Sequence, residues 1–461
     1  MKTALSWWRS WLVLALIALT GWQSVGYAAD TLAWHSDKDS VDADIQSWSV
    51  RQLLEHVAAT TGWRVYLDPN AKHTVSAKFK DLPAGDALHA LLGDINFMVV
   101  PQTTGPSRLY VFRSKRQQAT RLIRAPSGPA KPIPNQLVVT LKPGSKTKIE
   151  DLARSLHAKI IGRMDSQNAY LLQFQDETAT QSARTELASN PDVASVDVNF
   201  PVEPPPQVDV GSGSGPDLQL KPKTPDNGNC QLIVGLIDTP IESLGGNTSS
   251  FILPQIHVAG DYSQADTTLT HGTAMAATIL DAIQAKTGGS TSVKIQPVDV
   301  YGNNETTTTF DVANGIVQAV NSGANIINLS LGSTGDSSIL RNTIAQVEQQ
   351  GIPLYAAAGN EPVTTPTYPA AYPGVIAVTA SGTDGQLAPY ANHGSFVDIM
   401  APGDNVVDYQ GQNWLVEGTS TSTALISGTA AGLADSANAC ADQAQPLLQK
   451  SLPHADLLKS N

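Results

Sequence analysis

The chain has 461 residues, 41% of them hydrophobic, and a formal net charge of −12. This length predicts about three domains, each able to bury a core. An acidic balance argues against nucleic acid as the main partner, and two cysteines are too few for a disulfide scaffold. The composition therefore indicates a multidomain globular protein with no nucleic-acid partner.

The N-terminus carries the pattern of a secretory signal. Lys2 and Arg9 precede and flank an apolar run over residues 11–19, and small residues around Ala28 suit a signal peptidase. The run is shorter than a comfortable membrane span. Residues 1–29 are therefore predicted to be a bacterial-type signal peptide, with a retained anchor as the alternative. The mature protein would be secreted or periplasmic, with no membrane span after signal removal.

Residues 40–114 are predicted to form a small α+β domain. Apolar spacing indicates helices, and alternation between them indicates strands. The predicted elements are a helix over 50–57 ended by Gly62, strands over 63–67 and 75–79, a helix over 83–92, and a hairpin of 97–100 with 109–112.

This order of elements resembles the short N-terminal domain of secretins and TonB-dependent transporters. The matching pieces are Leu53-Leu54, Gly62, Val75 to Phe79, Ala87-Leu88 and Leu91-Leu92. The resemblance implies a periplasmic protein-binding module, with an envelope protein as its partner. A packing domain that only assists folding is the alternative.

An Arg- and Pro-rich stretch over 115–135 is predicted to be a linker. Residues 136–200 follow with strand and helix patterns that predict an antiparallel sheet with two helices on one face. The strands are predicted over 136–141, 170–174 and 193–198, and the helices over 149–157 and 180–189.

Residues 136–200 resemble the inhibitory propeptide of subtilisin-like proteases, through Leu141-Lys-Pro-Gly144 and the stretch from Asn190 to Asp197. The resemblance implies an intramolecular inhibitor whose tail lies in the active-site cleft. Residues 116–200 carry 11 Lys and Arg against 8 Asp and Glu, whereas residues 230–440 carry 3 against 17. Opposite net charges favour docking of the two regions.

Residues 201–229 are rich in proline and glycine and are predicted to be a second linker without a core. An exposed stretch of this kind between an inhibitor and an enzyme is where we expect the chain to be cut.

Residues 230–445 alternate strand and helix patterns, which predicts a parallel, doubly wound α/β sheet. The first strand ends in Asp238, at the edge where open α/β sheets place their sites. His271 is predicted at a helix start, and Asn360 is predicted to end a later strand. The ordinary alternatives are a turn aspartate and a structural histidine. The strands are predicted over 230–238, 294–300, 326–332, 353–360 and 375–379, with a helix over 311–322.

The stretch from Glu417 to Gly428 begins with a Gly-Thr-Ser turn and continues with small and β-branched residues. A helix that starts there has unpaired backbone N–H groups, which can stabilise an oxyanion beside a serine hydroxyl. Ser420 is therefore the candidate nucleophile. A Ser/Thr-rich cap of an ordinary helix is the alternative.

In the order Asp238, His271, Asn360 and Ser420, this region resembles the subtilisin-like serine proteases. The resemblance implies that Ser420 attacks the peptide carbonyl and that His271 takes its proton. It also implies that Asp238 orients the imidazole and that Asn360 donates to the oxyanion. The motifs are Leu236-Ile-Asp-Thr239, His271-Gly-Thr273, Ser330-Leu-Gly332, Ala358-Gly-Asn-Glu361, Tyr368-Pro-Ala370, Tyr372-Pro-Gly-Val-Ile-Ala-Val378, Ala401-Pro-Gly403 and Gly418-Thr-Ser420.

The same resemblance implies the substrate-binding residues. Ser330, Leu331 and Gly332 would pair with extended substrate as an added strand, and Gly359 would lie beside them. Thr367 stands where the family often has glycine on the floor of the first specificity pocket. This substitution predicts a shallower pocket that favours small or medium apolar side chains.

Two further positions depart from the family pattern. Pro240 follows Thr239 where the family usually has glycine, which alters the turn but not the acid. Ala424 replaces the proline that usually follows the nucleophile, so the start of that helix is expected to be less fixed.

A disulfide and bound calcium ions are two features that could stabilise the catalytic region. Cys230 and Cys440 could pair in an oxidising compartment, with two free thiols as the alternative. The chemistry needs no cofactor. Structural calcium is considered at Asp261, Asp266 and Asp404 by charge alone, and a solvated turn residue is the alternative at each position.

Together these patterns predict a secreted or periplasmic serine endopeptidase of proteins or peptides. It would be made as a precursor and matured by cleavage between residues 200 and 229. The alternative is a binding or assembly protein of an envelope complex with a vestigial protease fold, which the N-terminal module favours.

Overall fold

The chain divides into two compact units, Met1–Val50 with His73–Asp94, and Arg51–Lys72 with Ile95–Asn461. The predicted signal peptide lies outside the described residues, and none of the described helices is long and apolar enough to cross a membrane. A computed structural model describes residues 30–35, 38–68, 71, 73–101, 107–116, 119, 121–123, 129–203, 209–210, 218–225, 230–260, 262, 269–304 and 306–452.

The first unit contains a three-stranded antiparallel sheet and one helix. The predicted second strand and second helix are confirmed. The two strands before residue 50 were not predicted, although Val41, Ala43 and Ile45 alternate with polar residues and are buried. The elements are β1 (Thr31–His35), β2 (Ser40–Ser49), β4 (Thr74–Pro83) and α2 (Ala84–Leu92), in sheet order β1-β2-β4.

The second unit begins with a helix and a four-stranded sheet. The predicted helix ends at Thr61, just before Gly62, which has a positive φ of 68°. The predicted hairpin is confirmed. A short strand lies inside the segment 115–135, which was predicted to be a linker only. The elements are α1 (Val50–Thr61), β3 (Arg64–Leu67), β5 (Asn96–Val100), β6 (Arg108–Phe112) and β7 (Arg121–Ile123), in sheet order β5-β6-β3-β7.

Residues 136–198 form the predicted antiparallel sheet, with one more edge strand than the sequence indicated. Leu137 and Val139 face the sheet's own helices, whereas Val138 joins the core of the following region. The sheet is therefore buried on both faces. The elements are β8 (Gln136–Leu141), α3 (Ile149–Ser155), β9 (Lys159–Met164), β10 (Ala169–Gln173), α4 (Glu177–Ala188) and β11 (Val193–Val198), in order β11-β8-β10-β9.

The remaining region is built on a seven-stranded parallel sheet, which confirms the predicted doubly wound fold. Successive residues of one interior strand enter different cores, Leu236 on one face and Ile237 on the other. The strands are β15 (Ile233–Asp238), β16 (Ile256–His257), β18 (Lys294–Asp299), β20 (Ile326–Leu329), β21 (Leu354–Ala357), β22 (Val375–Ser381) and β23 (Ile399–Pro402), in order β16-β18-β15-β20-β21-β22-β23.

Helices cover both faces of this sheet. The chain adds strands first on one side of β15 and then, from β20 onward, on the other. Such a reversal of strand order opens a crevice at the carboxyl ends of the strands. The helices are α5 (His271–Thr287), α6 (Thr309–Asn321), α7 (Ser338–Gln349), α8 (Thr419–Ser436) and α9 (Ala444–Ser451).

Short strand pairs attach parts of the second predicted linker, residues 201–229, to the parallel-sheet region. Leu220 from this segment is only 2% exposed in the core. Cys230 and Cys440, 210 residues apart, are joined as a disulfide. The pairs are β12 (Pro201–Val202) with β19 (Thr307–Thr308), β13 (Asp209–Val210) with β25 (Gln412–Glu417), β14 (Lys221–Pro222) with β17 (Ser290–Thr291), and β24 (Asp404–Tyr409) with β25.

Candidate active site

The candidate acid–base pair joins the end of a strand to the start of a helix. Asp238 is the last residue of β15, and His271 is the first residue of α5. His271 Nδ1 lies 2.8 Å from Asp238 Oδ1, and the two side chains are 6% and 1% exposed. A buried carboxylate in this position favours a proton on Nδ1, which leaves Nε2 as the basic nitrogen.

The turn after β15 fixes the start of α5. The Gly272 N–H donates to Thr239 Oγ1 at 2.8 Å. The Thr239 carbonyl oxygen is so close to Gly272 that a Cβ there would overlap it. Thr270 caps the helix, and its hydroxyl donates to the Pro240 carbonyl at 2.6 Å. The unusual proline thus takes part in the cap, and His271 keeps its carboxylate partner.

Helices α5 and α8 pack side by side, and two glycines of α8 set their alignment. A Cβ at Gly428 would lie 2.6 Å from the Ile279 carbonyl oxygen, and one at Gly432 would lie 3.2 Å from Ile283 Cα. The glycines are eight and twelve residues after the candidate nucleophile, and the isoleucines are eight and twelve residues after the candidate base. Because α-helices rise equally per residue, the two helices are parallel and their functional side chains lie at the same level.

Ser420 is the second residue of α8 and is 4% exposed. Its Oγ donates to the Ser330 carbonyl at 3.1 Å, and Ser330 Oγ donates back to the Ser420 carbonyl at 3.1 Å. Asn328 donates to Ser330 Oγ and accepts from Ser427 Oγ, both at 2.9 Å. This buried network ties the start of α8 to β20.

The serine–imidazole bond is not formed in this structure. His271 Nε2 is buried without a hydrogen-bond partner among the described residues, whereas the Ser420 hydroxyl donates to Ser330. Catalytic hydrogen bonds are often longer before substrate binds. Proton transfer to Nε2 therefore requires the Ser420 hydroxyl to leave the Ser330 carbonyl.

Asn360 lies at the start of α8, beside the candidate nucleophile. Its Oδ1 accepts from the Thr419 N–H at 2.8 Å, and its Nδ2 lies 3.3 Å from the position of a Cβ on Gly418. Because Oδ1 is held by the helix start, Nδ2 is the atom left to donate to a substrate oxygen.

The turn that presents Asn360 depends on Asn392, which the sequence analysis did not identify. Gly359 has a φ of 109°, and a Cβ there would overlap the Asn392 side chain. Asn392 Oδ1 accepts from the Glu361 N–H at 2.8 Å. Asn328, Ser427 and Asn392 could have been suspected only as polar residues within or beside apolar segments.

The predicted substrate strand is occupied by the chain that follows the antiparallel domain. Gly332 pairs in antiparallel register with Glu203, and Ser333 Oγ donates to the Pro201 carbonyl at 2.9 Å. On the other side, residues 201–202 pair with β19. This tail therefore lies as an added strand between β19 and the segment at Gly332 and Ser333.

The remaining predicted substrate residues lie near one another in the fold. Thr367 is 9% exposed and donates its hydroxyl to the Ala358 carbonyl, next to Gly359. A Cβ on Gly332 would lie 3.3 Å from the Tyr368 carbonyl oxygen, and Leu331 is buried beside it. The structure thus brings Thr367 close to Gly359, and Gly332 close to Tyr368.

The antiparallel domain caps two helices of the parallel-sheet region. Asp197 Oδ2 accepts from the Ile339 N–H at the start of α7 at 3.1 Å, where the N-cap residue makes no side-chain bond of its own. Asn199 Oδ1 accepts from the Phe310 N–H at the start of α6, also at 3.1 Å. A Cβ at Gly162 would overlap the Phe310 ring, so β9 approaches α6 closely.

Two carboxyl groups outside the candidate site bind their protons more tightly than usual. Burial raises the pKa of Asp281 to about 7, although a hydrogen bond from Asn405 lowers it. Burial raises the pKa of Asp311 to about 6, against a hydrogen bond from Thr308. Both groups therefore favour the folded state in acid, and that advantage is lost as the pH rises from 3.8, their ordinary value, to these raised values.

The candidate calcium ligands stay predictions. Within the described ranges, no group of three or more His, Cys, Asp or Glu side chains is arranged to hold a metal ion. Asp404 begins β24, whereas Asp261 and Asp266 lie outside the described residues.

Two regions match known families. Residues 230–454 match the subtilase family, and residues 118–199 match the fervidolysin N-terminal prodomain. Helix α8 continues unbroken through Ala424, at the position where the sequence lacks the proline usual in subtilases. The prodomain match supports the propeptide prediction, whereas the secretin-like assignment of residues 40–114 stays a prediction.

Individual proteases are similar in sequence to part of this chain. The thermostable alkaline protease of Halalkalibacterium halodurans is 39% identical over 165 residues, 35% of this chain and 46% of its own. Thermitase of Thermoactinomyces vulgaris is 34% identical over 167 residues, 36% of this chain and 60% of its own. The chain thus spans about half the length of the curated relatives it matches.

Solved structures share the fold. Fervidolysin from Fervidobacterium pennivorans aligns with a TM-score of 0.51 and 18% identity, over 67% of this chain and 55% of that one. The epidermin leader peptide processing protease of Staphylococcus aureus aligns with a TM-score of 0.51 and 15% identity, over 70% and 96%. The parallel-sheet region therefore has the subtilisin-like α/β fold, with a prodomain before it.

Proposed function

We propose, on the premise that residues 230–454 match the subtilase family, that this chain is the precursor of a serine endopeptidase. One observation carries the proposal: Asp238 is bonded to His271 at the start of a helix that runs parallel to α8, at the level of Ser420. A structural histidine or a plain helix cap does not require this alignment.

In the proposed mechanism, Ser420 attacks the peptide carbonyl while His271 Nε2 takes its proton. Asp238 keeps the proton on Nδ1 and stabilises the imidazolium. The Asn360 side chain and the Ser420 backbone N–H stabilise the oxyanion. His271 then returns the proton to the leaving amine, and water releases the acyl group by the reverse steps.

A fluorophosphonate probe tests this assignment directly. We expect the mature protein to be modified at Ser420, as located by mass spectrometry of its peptides, because only an activated serine reacts rapidly with such a probe. Inert mature protein would favour the alternative of a binding protein with a vestigial protease fold.

We also propose where the enzyme is located, how it is inhibited and what its N-terminal domain binds. The signal-like N-terminus supports secretion or a periplasmic location, where the pair Cys230–Cys440 would stay oxidised. Residues 201–203 and the caps on α6 and α7 support a prodomain that inhibits the enzyme until it is removed. Residues 40–114 are proposed to bind an envelope protein, on their pattern of elements alone.

The site of maturation can be narrowed by packing. Residues 218–225 behave as part of the enzyme: Leu220 is in its core, and the Lys221 N–H donates to the Gly289 carbonyl at 2.9 Å. Lys223 Nζ lies 3.4 Å from Asp435 Oδ2, whose residue is 5% exposed. Removing this lysine would leave a buried carboxylate without its cation, which destabilises the fold.

We therefore expect the mature N-terminus to fall between residues 204 and 218, inside the broader range 200–229. Intact-mass and N-terminal peptide measurements on the mature protein check this. A stable mature enzyme that starts after Lys223 would contradict it. Lys223→Met should lower the melting temperature of the mature protein, whereas the exposed Lys450→Met should not.

The depth of the first pocket gives a specificity prediction. Thr367→Gly removes a side chain from the proposed pocket floor, so kcat/KM for a phenylalanine side chain before the cleaved bond should rise about 10- to 100-fold relative to alanine. Paired peptide substrates measure this ratio. Thr367→Ser, which keeps the hydroxyl bond to Ala358, is the matched control and should shift the ratio less. An unchanged ratio in Thr367→Gly would remove Thr367 from the pocket.

A further inference from the structure

Helix α1 reaches the candidate oxyanion site through one arginine. Arg51, in the first turn of α1, donates from Nη2 to the backbone carbonyl of Asn360 at 3.0 Å. Both residues belong to the second compact unit. The two residues are 309 positions apart in the chain, so the contact does not follow from local chain geometry.

The arginine is held in place by its own helix. Arg51 Nε donates to Glu55 Oε1 at 2.7 Å, and the two side chains are only 23% and 15% exposed. A comparable pair on another helix, Arg154 with Asp151, is 76% and 63% exposed. The Arg51–Glu55 pair is therefore largely shielded from solvent, as expected for side chains that are docked against another part of the protein.

The contact lies on the residue that would have to receive the substrate. A peptide carbonyl must approach Asn360 Nδ2 to within about 3 Å. The Arg51 guanidinium is hydrogen-bonded to the backbone carbonyl of the same residue. We propose that α1 is a second inhibitory element of the precursor, with Arg51 as its contact residue. This inference rests on the proposed function, in which Asn360 is the oxyanion donor.

This element is distinct from the tail of the prodomain. Residues 201–203 cover the strand side of the cleft, at Gly332 and Ser333, whereas Arg51 covers the Asn360 side. If both must leave before substrate enters, the fractions of molecules open at each contact multiply. Removing Arg51 should therefore raise the fraction of molecules that are open at both contacts, although the tail still limits that fraction. The net acidic composition of residues 230–440 attracts such a cation.

The test uses the full chain carrying Ser420→Ala, so that no variant can process itself. Hydrogen–deuterium exchange of peptides that span residues 358–362 reports how often this turn opens, which should increase when no arginine holds the Asn360 carbonyl. Binding of a fluorescent peptide, followed by anisotropy, reports the inhibition. Arg51→Ala should speed exchange and tighten apparent peptide binding about tenfold, the effect typical of one hydrogen bond to a charged group. Glu55→Gln, which only loosens the positioning of Arg51, should act in the same direction but less.

Arg154→Ala is the matched control and should change neither reading. Unchanged exchange in Arg51→Ala would overturn the contact, and faster exchange with unchanged peptide binding would overturn its inhibitory role. Failure of the mature protein, with Ser420 intact, to react with the fluorophosphonate probe would overturn the proposed function instead, whatever the exchange result for Arg51→Ala. Melting curves identify any variant that fails to fold, and Arg51→Lys, which keeps the charge, should restore part of the protection.

Discussion

Replacing Ser420 with alanine is expected to accumulate the full-length precursor and to abolish peptide hydrolysis. The side chain is the attacking group, and neither the Asn360 amide nor the helix N-terminus can replace a missing oxygen nucleophile. In subtilisin the comparable change costs about 2 × 10⁶-fold in kcat. That figure is carried over to this chain as an order of magnitude.

The measurement is a time course of precursor and product by gel and intact mass, together with hydrolysis of a chromogenic peptide. Ser422→Ala provides a neighbouring control, because Ser422 Oγ donates to the Ala401 and Pro402 carbonyls at 3.0 Å and does not contact Ser420 Oγ. The control should mature and hydrolyse peptide, with a modest loss of stability. If Ser420→Ala matured and hydrolysed at the normal rate, the nucleophile would be misassigned.

The parallel sheet and its motifs were readable because their signals are local. Continuous apolar runs marked the buried strands, and the Gly-Thr-Ser turn marked the start of α8, which begins at Thr419. The edge strand β9 was missed because its residues alternate between exposed and half-buried positions around Gly162. That glycine has a role only because the Phe310 ring packs on it, a contact between residues 148 positions apart.

The stretch 201–229 shows why composition alone was misleading there. Proline and glycine predicted a linker without a core, yet Leu220 is buried and Lys221–Pro222 pairs with Ser290–Thr291. Single apolar or basic residues in such a stretch gain their role from partners far along the chain, such as Asp435. The same holds for the contact of Arg51 with Asn360, for which no pattern near residue 51 gave a signal.

The structure was also needed to identify the aspartate of the candidate triad. Two strands of the sheet end in an aspartate that is paired with a histidine. Asp299 ends β18, is fully buried, and lies 3.1 Å from His257 Nδ1. Asp238 ends the neighbouring strand β15 with its own histidine. Only His271 starts a helix that is aligned with α8, so only the Asp238 pair can serve Ser420.

Asp238→Asn should lower kcat by about 10⁴-fold, because an amide in place of the carboxylate favours the wrong imidazole tautomer and cannot stabilise the imidazolium. The fold should persist, because the side chain keeps its shape and can still accept from the Thr239 N–H. Hydrolysis of a chromogenic peptide across the pH range measures the loss.

Asp299→Asn is the control that separates chemistry from burial. Asp299 Oδ1 accepts from the Tyr301 and Gly302 N–H groups at 2.9 and 2.7 Å, so the substitution should affect melting temperature more than kcat. A loss of kcat in Asp299→Asn as large as that in Asp238→Asn would mean that a buried strand-end carboxylate acts only by holding the sheet together. A loss confined to Asp238→Asn requires a role for that carboxylate in the reaction, which a vestigial protease fold would not show.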